Sequence, residues 1–300
     1  MKLDCIYIVC YRGDVHFARP LVASIRQWYP EIQVVLVKDL LAGHFSTRDI
    51  EETYRVSVLD TERKRFGWCW AKLEPLFLPQ RQRCLILDAD IVFAGPVLEA
   101  LEAYDEDFVV SVEETKEPRS SFMRQTYFDY DALRTFDTSY EYPGFTFNAG
   151  QILATSGVVK RDHFAGLVDW RPALPQMVRP DIFSCGDQGI MNYILAAKAL
   201  KGEITLGKGS FMVWPKSQAA QALELKRVGQ GEAGYPFLLH WAGLGHPFSF
   251  RKMLLGKWLL HYEAEYYSKI RAGTLKRLTR QTQLWCWYKK CRLKQKLGLG

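Results

Sequence analysis

The sequence predicts an α/β fold: one continuous body followed by a basic, helical C-terminal appendage. Three observations lead there. The chain opens strand–loop–helix–strand, apolar runs of strand length then alternate with helically periodic stretches, and two carboxylates stand at the end of one such run. With 300 residues, 48% of them hydrophobic and 24% charged, the chain has apolar material for a large core, which excludes disordered and collagen-like classes.

Residues 6–10 form an apolar run that reads as the first strand, and 11–14 are a polar loop. Residues 20–28 read as a helix, with Leu21, Ile25 and Trp28 at core spacing, and 32–37 as a second strand. A weak strand is expected in 51–60 and a helix over 66–78, ending at Pro79. Residues 83–87 are a strand with Asp88-Ala89-Asp90 at its C-terminal end, and 108–112 another. The polar, aromatic stretch 114–144 carries Pro118, Pro143 and Gly144 and reads as a long, partly ordered excursion. A strand at 151–154 is followed by expected helices over 158–168 and 187–200 and short strands at 205–206 and 211–213. Residues 237–241 form a strand carrying His240 into a glycine-rich turn. Residues 251–267 are helical, with Met253, Leu254, Trp258 and Tyr262 facing the body. There is no internal repeat or low-complexity linker, so the expected division is a body over 1–268 and a tail over 269–300.

The net charge of +7 belongs to that tail. Ten of the 40 basic residues and none of the 33 acidic ones lie in it, so the body is slightly acidic. Trp285, Trp287 and Tyr288 stand among Lys289, Lys290, Arg292, Lys294 and Lys296. Basic side chains attract anionic head groups and interfacial aromatics anchor them, so peripheral contact with an anionic membrane is expected, and nucleic acid is not. The alternative is a tail that is solvated or docked on the body. Seven cysteines without regular spacing suggest neither a disulfide framework nor a structural zinc site, and imply a reducing compartment. The first residues lack the apolar core of a signal peptide, and no stretch is long enough to span a bilayer. The expected location is cytoplasmic, on the inner leaflet.

Ligands of open α/β sheets bind beyond the carboxyl ends of strands, where Asp88 and Asp90 stand. Side chains two apart in a continuing strand share a face, and two carboxylates on one face repel unless a cation lies between them. A hard divalent ion such as Mn²⁺ or Mg²⁺ fits and still accepts phosphate oxygens. Imidazole is acceptable to Mn²⁺, which makes His240 a candidate third ligand; alone, a histidine after an apolar strand is more often structural. The glycines after it allow a phosphate to approach the backbone. Asp14, after the first strand, is a candidate nucleotide contact or a turn residue.

Taken together, these segments resemble the GT-A-fold glycosyltransferases, most closely the retaining family that includes bacterial lipooligosaccharide galactosyltransferases and glycogenin. The resemblance spans roughly residues 5–250 and implies a mixed central sheet of the nucleotide-diphospho-sugar transferase type. It places the first strand under the nucleotide base, with Cys10 and the Tyr11 and Asp14 that follow it as the candidate nucleotide contacts. Trp70-Ala71-Lys72-Leu73 is similar to a family helix whose basic residue, here Lys72, reaches the nucleotide-sugar. Asp88, Ala89 and Asp90 match the metal-binding motif, and the resemblance implies that His240 completes the ligand set. Phe147-Asn148-Ala149-Gly150 matches a segment that binds the donor sugar through its polar residue, Asn148. Gly186-Asp187-Gln188-Gly189 resembles Asp-Gln-Asp, in which the first Asp contacts sugar hydroxyls and the Gln lies at the anomeric carbon. His240 to Phe248 resembles His-x-x-Gly-x-x-Lys-Pro-Trp, with Gly243, Gly245 and His246 at the diphosphate. The chain departs from the pattern at Gly189, which replaces an acid, at His246 and Phe248, which replace Lys and Trp, and at Lys72, which replaces Arg and gives up bidentate geometry.

The resemblance implies transfer of a sugar from a nucleotide-diphosphate sugar, a UDP-sugar foremost, to a glycan or glycolipid hydroxyl with retention. A setting in cell-surface saccharide synthesis, such as lipopolysaccharide core or capsule, is the expectation. An inverting GT-A enzyme would need a carboxylate base, for which Glu113 and Glu114 are available after the 108–112 strand. A sugar nucleotidyltransferase would want a glycine-rich basic loop after the first strand, and Tyr11-Arg12-Gly13-Asp14 is a poor version of one. A non-catalytic sugar- or lipid-binding module is the third alternative.

Overall fold

The structure, a computed structural model, describes residues 2–67, 69–113, 117–229, 234–243 and 249–296. The chain begins β1 (Cys5–Tyr11), α1 (Val15–Trp28), β2 (Gln33–Asp39), α2 (Arg48–Tyr54) and β3 (Val56–Val58). Helix α1 starts earlier than expected and runs through Pro20, because its buried stripe of Val15, Phe17, Ala18, Leu21, Val22 and Ile25 continues on both sides of the proline. The weak strand expected in 51–60 is half helix. Ile50 and Tyr54, four apart, bury one face of α2, and left-handed Arg55 ends it before β3.

The helix expected over 66–78 is a 3₁₀ segment, Trp70–Phe77, with Pro75 inside it. Proline donates no backbone hydrogen bond and disfavours the α conformation of its predecessor, which weakens the α-helical pattern in this short segment; the longer buried stripe of α1 carries that helix past Pro20. Next come β4 (Arg83–Asp88), β5 (Ile91–Phe93), α3 (Leu98–Leu101) and β6 (Phe108–Glu113). The described part of the excursion holds two short capped helices, α4 (Ser121–Thr126) and α5 (Tyr130–Phe136); the Ser120 side chain accepts from Met123 N, and that of Asp129 from Asp131 N and Ala132 N. Strand β7 (Thr146–Thr155) is ten residues long and buried throughout.

No α-helix forms over 158–168. A 3₁₀ turn, Arg161–Phe164, is broken by Gly166 at φ +76° and leads into β8 (Val168–Asp169), which pairs with β9 (Gln176–Met177). Helix α6 (Asp187–Leu200) has the predicted bounds. The remaining elements are β10 (Leu206–Gly209), β11 (Met212–Val213), α7 (Gln218–Gln221), α8 (Leu225–Gly229), β12 (Leu238–His240), a 3₁₀ turn (Phe250–Lys252), α9 (Gly256–Ser268) and α10 (Gly273–Lys296). Of the four side chains expected to face the body near α9, Met253, Trp258 and Tyr262 are buried, but Leu254 is exposed, because the helix starts only after it.

The large sheet has the order β10-β6-β7-β4-β1-β2-β3 and is mixed: β7 runs antiparallel to β4 and β6, while all other neighbours are parallel. Alternation along β1 divides the core. Ile6 and Ile8 face the side covered by α1 and α9, whereas Cys5 and Tyr7 face the side covered by the 3₁₀ segment and α6. A smaller sheet, β11-β12-β5, branches from the end of β4.

Asp49, at the start of α2, ties three helices together. Its carboxylate accepts from Arg19 Nε at 2.9 Å, from Tyr266 Oη at 3.0 Å and from Arg280 at 3.2 Å. Burial raises the pKa of Asp49, but Arg19, Arg280 and the Tyr266 hydroxyl outweigh that and hold it below the usual carboxylate range. Removing its charge strands the buried Arg19 guanidinium, so Asp49→Ala is expected to cost about 3–5 kcal/mol in urea unfolding. The folded carboxyl titrates below the unfolded one. The stabilisation is therefore complete above the ordinary carboxylate range near ~3.9 and fades as pH falls through the folded value, and the same variant should flatten that acid limb.

Candidate active site

The site lies at the carboxyl ends of β1 and β4, where the two sheets diverge. Asp88 is the last residue of β4; the chain then bends through Ala89 and Asp90 and enters β5 in the smaller sheet. The expectation of two carboxylates on one face of a continuing strand is therefore replaced by a bend that turns both inward. Ala89 points into the core instead.

Strand β12 pairs antiparallel with β5, with His240 opposite Ile91, and Trp241 N donates to Asp90 O at 3.0 Å. This register carries a histidine from 150 positions away to the acidic pair. One ligand atom from each of Asp88, Asp90 and His240 lies within 4.8 Å of the others.

The side chains fit a divalent cation. Gln151 Nε2 donates to Asn148 O at 3.2 Å, so Gln151 Oε1 faces His240 Nδ1 at 3.0 Å and that nitrogen carries the proton. Nε2 is left with its lone pair, buried and without a hydrogen bond, 3.3 Å from Asp90 Oδ1 and 4.0 Å from Asp88 Oδ2. A lone pair aimed at carboxylate oxygens is the arrangement a shared metal ion stabilises. Trp214 stacks on the imidazole with centroids 5.4 Å apart and fixes its plane. Gly150 leaves the space free: a Cβ there would lie 2.3 Å from His240 Cε1 and 2.6 Å from Asp88 Oδ2.

A cavity of about 960 Å³ opens over this centre, lined by Cys10, Tyr11, Asp14, Lys72, Asp88, Asp90, Asn148, Asp187, Gln188 and Gly243. Lys72, buried, bridges Asp88 at 2.8 Å and Asp187 at 3.0 Å. Burial lowers the pKa of Lys72, but the two carboxylates more than reverse this and hold it charged, above the ordinary lysine range. Asp187, at the start of α6, is pushed up by burial, against the pull of Lys72. Asp14 is pushed well up by burial, its hydrogen bond from Tyr11 N opposing and Asp90 and Asp88 adding to the shift. Burial also raises the Cys10 thiol.

A clamp of amides joins β7 to α6. Asn192 Nδ2 donates to Phe147 O and Gln188 O, and Asn192 Oδ1 accepts from Phe147 N. On this frame Asn148 Nδ2 donates to Gln188 Oε1 at 2.7 Å, and Gln188 Nε2 donates to Thr126 O at 3.3 Å. Gly189 has a steric reason: a Cβ would fall 2.1 Å from Tyr127 O and 2.8 Å from Ser184 O, so no acid fits there. Gly245, His246 and Phe248 lie outside the described residues, as does Glu114. Sequence reasoning missed Gln151, Trp214, Tyr127, Cys69 and Cys185, which lie in or beneath the cavity walls. Gln151, one residue past the Phe147–Gly150 segment, was the one with a usable signal.

No protein-family model and no curated protein matches the sequence. Among solved structures, the apo form of the bifunctional glycosyltransferase WbbM superposes with a TM-score of 0.56 at 15% identity, covering 89% of this chain and 51% of that one. The chain thus spans about half the length of that protein. The galactosyltransferase LgtC, solved with donor and acceptor sugar analogues, gives 0.53 at 12% identity over 88% of this chain and 95% of that one. An active-site Gln→Glu mutant of LgtC gives 0.50 at 12% identity, covering 88% and 99%. The fold is GT-A. Within this GT-A fold, the carboxylates and the imidazole meet at the switch from the large sheet to the small one.

Metal occupancy is testable without any substrate. Mn²⁺ at about 100 times its dissociation constant should stabilise the chain by about 2.7 kcal/mol, read as a rise of a few degrees in melting temperature. Asp90→Asn and His240→Ala should abolish the rise, and Gly150→Ala should weaken it by crowding the ligands.

Proposed function

We propose that the chain is a metal-dependent glycosyltransferase that moves a sugar from a nucleotide-diphosphate sugar, a UDP-sugar foremost, to a hydroxyl of a glycan or glycolipid, with retention. The observation that carries this reading is the convergence of Asp88, Asp90 and His240 beneath a cavity that also holds a buried lysine and a fixed carboxamide pair. A divalent ion held by those three side chains would neutralise the diphosphate and stabilise it as a leaving group.

Lys72 adds a second, permanently charged cation beside the metal ligands, and Gly243 offers backbone at the same wall. Cys10, Tyr11 and Asp14 line the end of the cavity at β1, where the base would lie. Asp187 and Asn148 orient the donor sugar. Gln188 is held through both ends of its amide, by Asn148 and by Thr126 O, so its dipole is fixed before substrate arrives. An amide is a poor nucleophile, and the role we assign is positioning and stabilisation of oxocarbenium-like charge. That a glutamine is an active-site residue in LgtC supports this placement.

One observation favours an inverting reaction as the second reading. Glu113 lines the same cavity, with Oε2 accepting from Tyr127 Oη at 2.6 Å, where a base could meet an acceptor hydroxyl. Anomeric analysis of the product by NMR separates the two.

The working division is a catalytic body over residues 1–268 and a tail over 269–300 that meets an anionic membrane from the cytoplasmic side, in cell-surface saccharide synthesis. No described helix is long and apolar enough to cross a membrane. Support for the tail comes from Leu275, Leu278, Trp285 and Leu293, which are exposed along α10 among its basic residues.

A nucleotide-sugar panel with Mn²⁺, read by thermal shift and then by turnover, tests the enzyme reading; no binding and no transfer or hydrolysis from any donor overturns it. Lys72→Met and Asp187→Asn should each lower kcat/KM by a factor on the order of 100 or more, the scale seen when one preorganised stabiliser of transition-state charge is removed.

A further inference from the structure

Helix α10 is fastened to the body near its start. Arg277 pairs with Glu263 and Arg280 with Asp49, both within its first eight residues, and no other ion pair joins α10 to the body among the described residues. Alongside and beyond these pairs a groove of about 1250 Å³ separates the helix from the body. Its body wall includes Phe45, Phe250 and Leu260, and its helix wall Leu284 and Trp287. The last two are three apart and so share a helix face.

The charges in this groove are one-sided. Arg12, Arg251 and Lys290 line it, are exposed, and make no ion pair among the described residues. Its one acid, Glu263, is taken by Arg277. A purely hydrophilic anion would leave the apolar walls uncovered, and an uncharged apolar molecule would leave the cations unmatched. An amphiphile with an anionic head meets both conditions.

We infer that this groove binds one anionic phospholipid, with an acyl chain between α10 and the body and the phosphate at Arg12, Arg251 and Lys290. This rests on the membrane part of the preceding reading and is independent of the transfer chemistry. It goes further in naming a groove with defined walls rather than a charged surface. Ala42 lines both this groove and the donor cavity, so the lipid would lie against the nucleotide end of the cleft.

The test uses the full chain and vesicles of phosphatidylcholine, alone or mixed with phosphatidylglycerol. Co-sedimentation should require phosphatidylglycerol. Each basic residue near an anionic surface contributes about a factor of 5, so diffuse attraction predicts equal losses wherever two exposed charges on this basic face, of the body or of the tail, are reversed. The groove predicts otherwise. Arg251→Glu with Lys290→Glu should weaken binding about tenfold more than Lys276→Glu with Lys289→Glu, a pair that is exposed and outside the groove. Leu284→Glu, which blocks the apolar wall, should match the groove pair, and native mass spectrometry should find one phosphatidylglycerol per wild-type chain and none on this variant. Thermal unfolding and the Mn²⁺-dependent shift, unchanged in all variants, show that the body is folded. Equal losses for the two pairs, or displacement of vesicles by inorganic phosphate alone, overturn the groove. Absence of any vesicle binding by the wild type overturns both it and the membrane reading, while the donor panel decides the enzyme reading separately.

Discussion

The antiparallel pairing of β12 with β5 is the constraint on which the site depends. It is short, three residue pairs, yet it fixes which side chain reaches the acidic bend. Strand side chains alternate between faces, so a slip of one residue would turn His240 away and present a neighbour. The hydrogen bond from Trp241 N to Asp90 O closes the ladder at the bend itself and holds that register where it matters. Trp214, from the adjacent strand region, and Gln151, from β7, then fix the imbalance of the ring: one nitrogen protonated and satisfied, the other bare.

The electrostatics follow from the same convergence. Asp14, Asp88, Asp90 and Asp187 share one cavity with a single lysine. Lys72 answers two of these acids at once and stays charged despite its burial. Burial raises the carboxyls of Asp14 and Asp187, and the neighbouring Asp88 adds to the rise in both. Such a cavity favours an incoming cation. The amide clamp through Asn192 supplies the rigidity that charge alone does not.

Much of this was legible in the residues. The first strand, the strand ending in Asp88 and helix α6 are local signals with clean boundaries, and Asp88, Asp90, Lys72, Asn148, Asp187 and Gln188 do line one cavity. The reason given for the acidic pair was wrong in detail, because the chain leaves the large sheet between the two residues. Periodicity failed where backbone chemistry intervened: a 3₁₀ helix forms around Pro75, and Gly157 and Gly166, both at positive φ, bracket the 3₁₀ turn that stands where a helix was expected after β7. Strand β7 was foreseen at less than half its length, because Asn148 and Gly150 look like loop residues until the hydrogen bonds that satisfy the Asn148 side chain are seen. Trp214 and Tyr127 gave no local sign at all, since their importance comes from neighbours distant in sequence.

The contact between Gly189 and the carbonyl of Tyr127 reaches beyond its own turn of helix. The start of α6 beneath the cavity and the strip carrying Phe122 and Tyr127 are mortised together, with no slack for even a methyl group. Placing an acid at 189 therefore means first moving the strip some sixty positions upstream. A variant with a side chain at 189 would need altered residues in both places, the two rims of the cleft being remodelled in a single stroke.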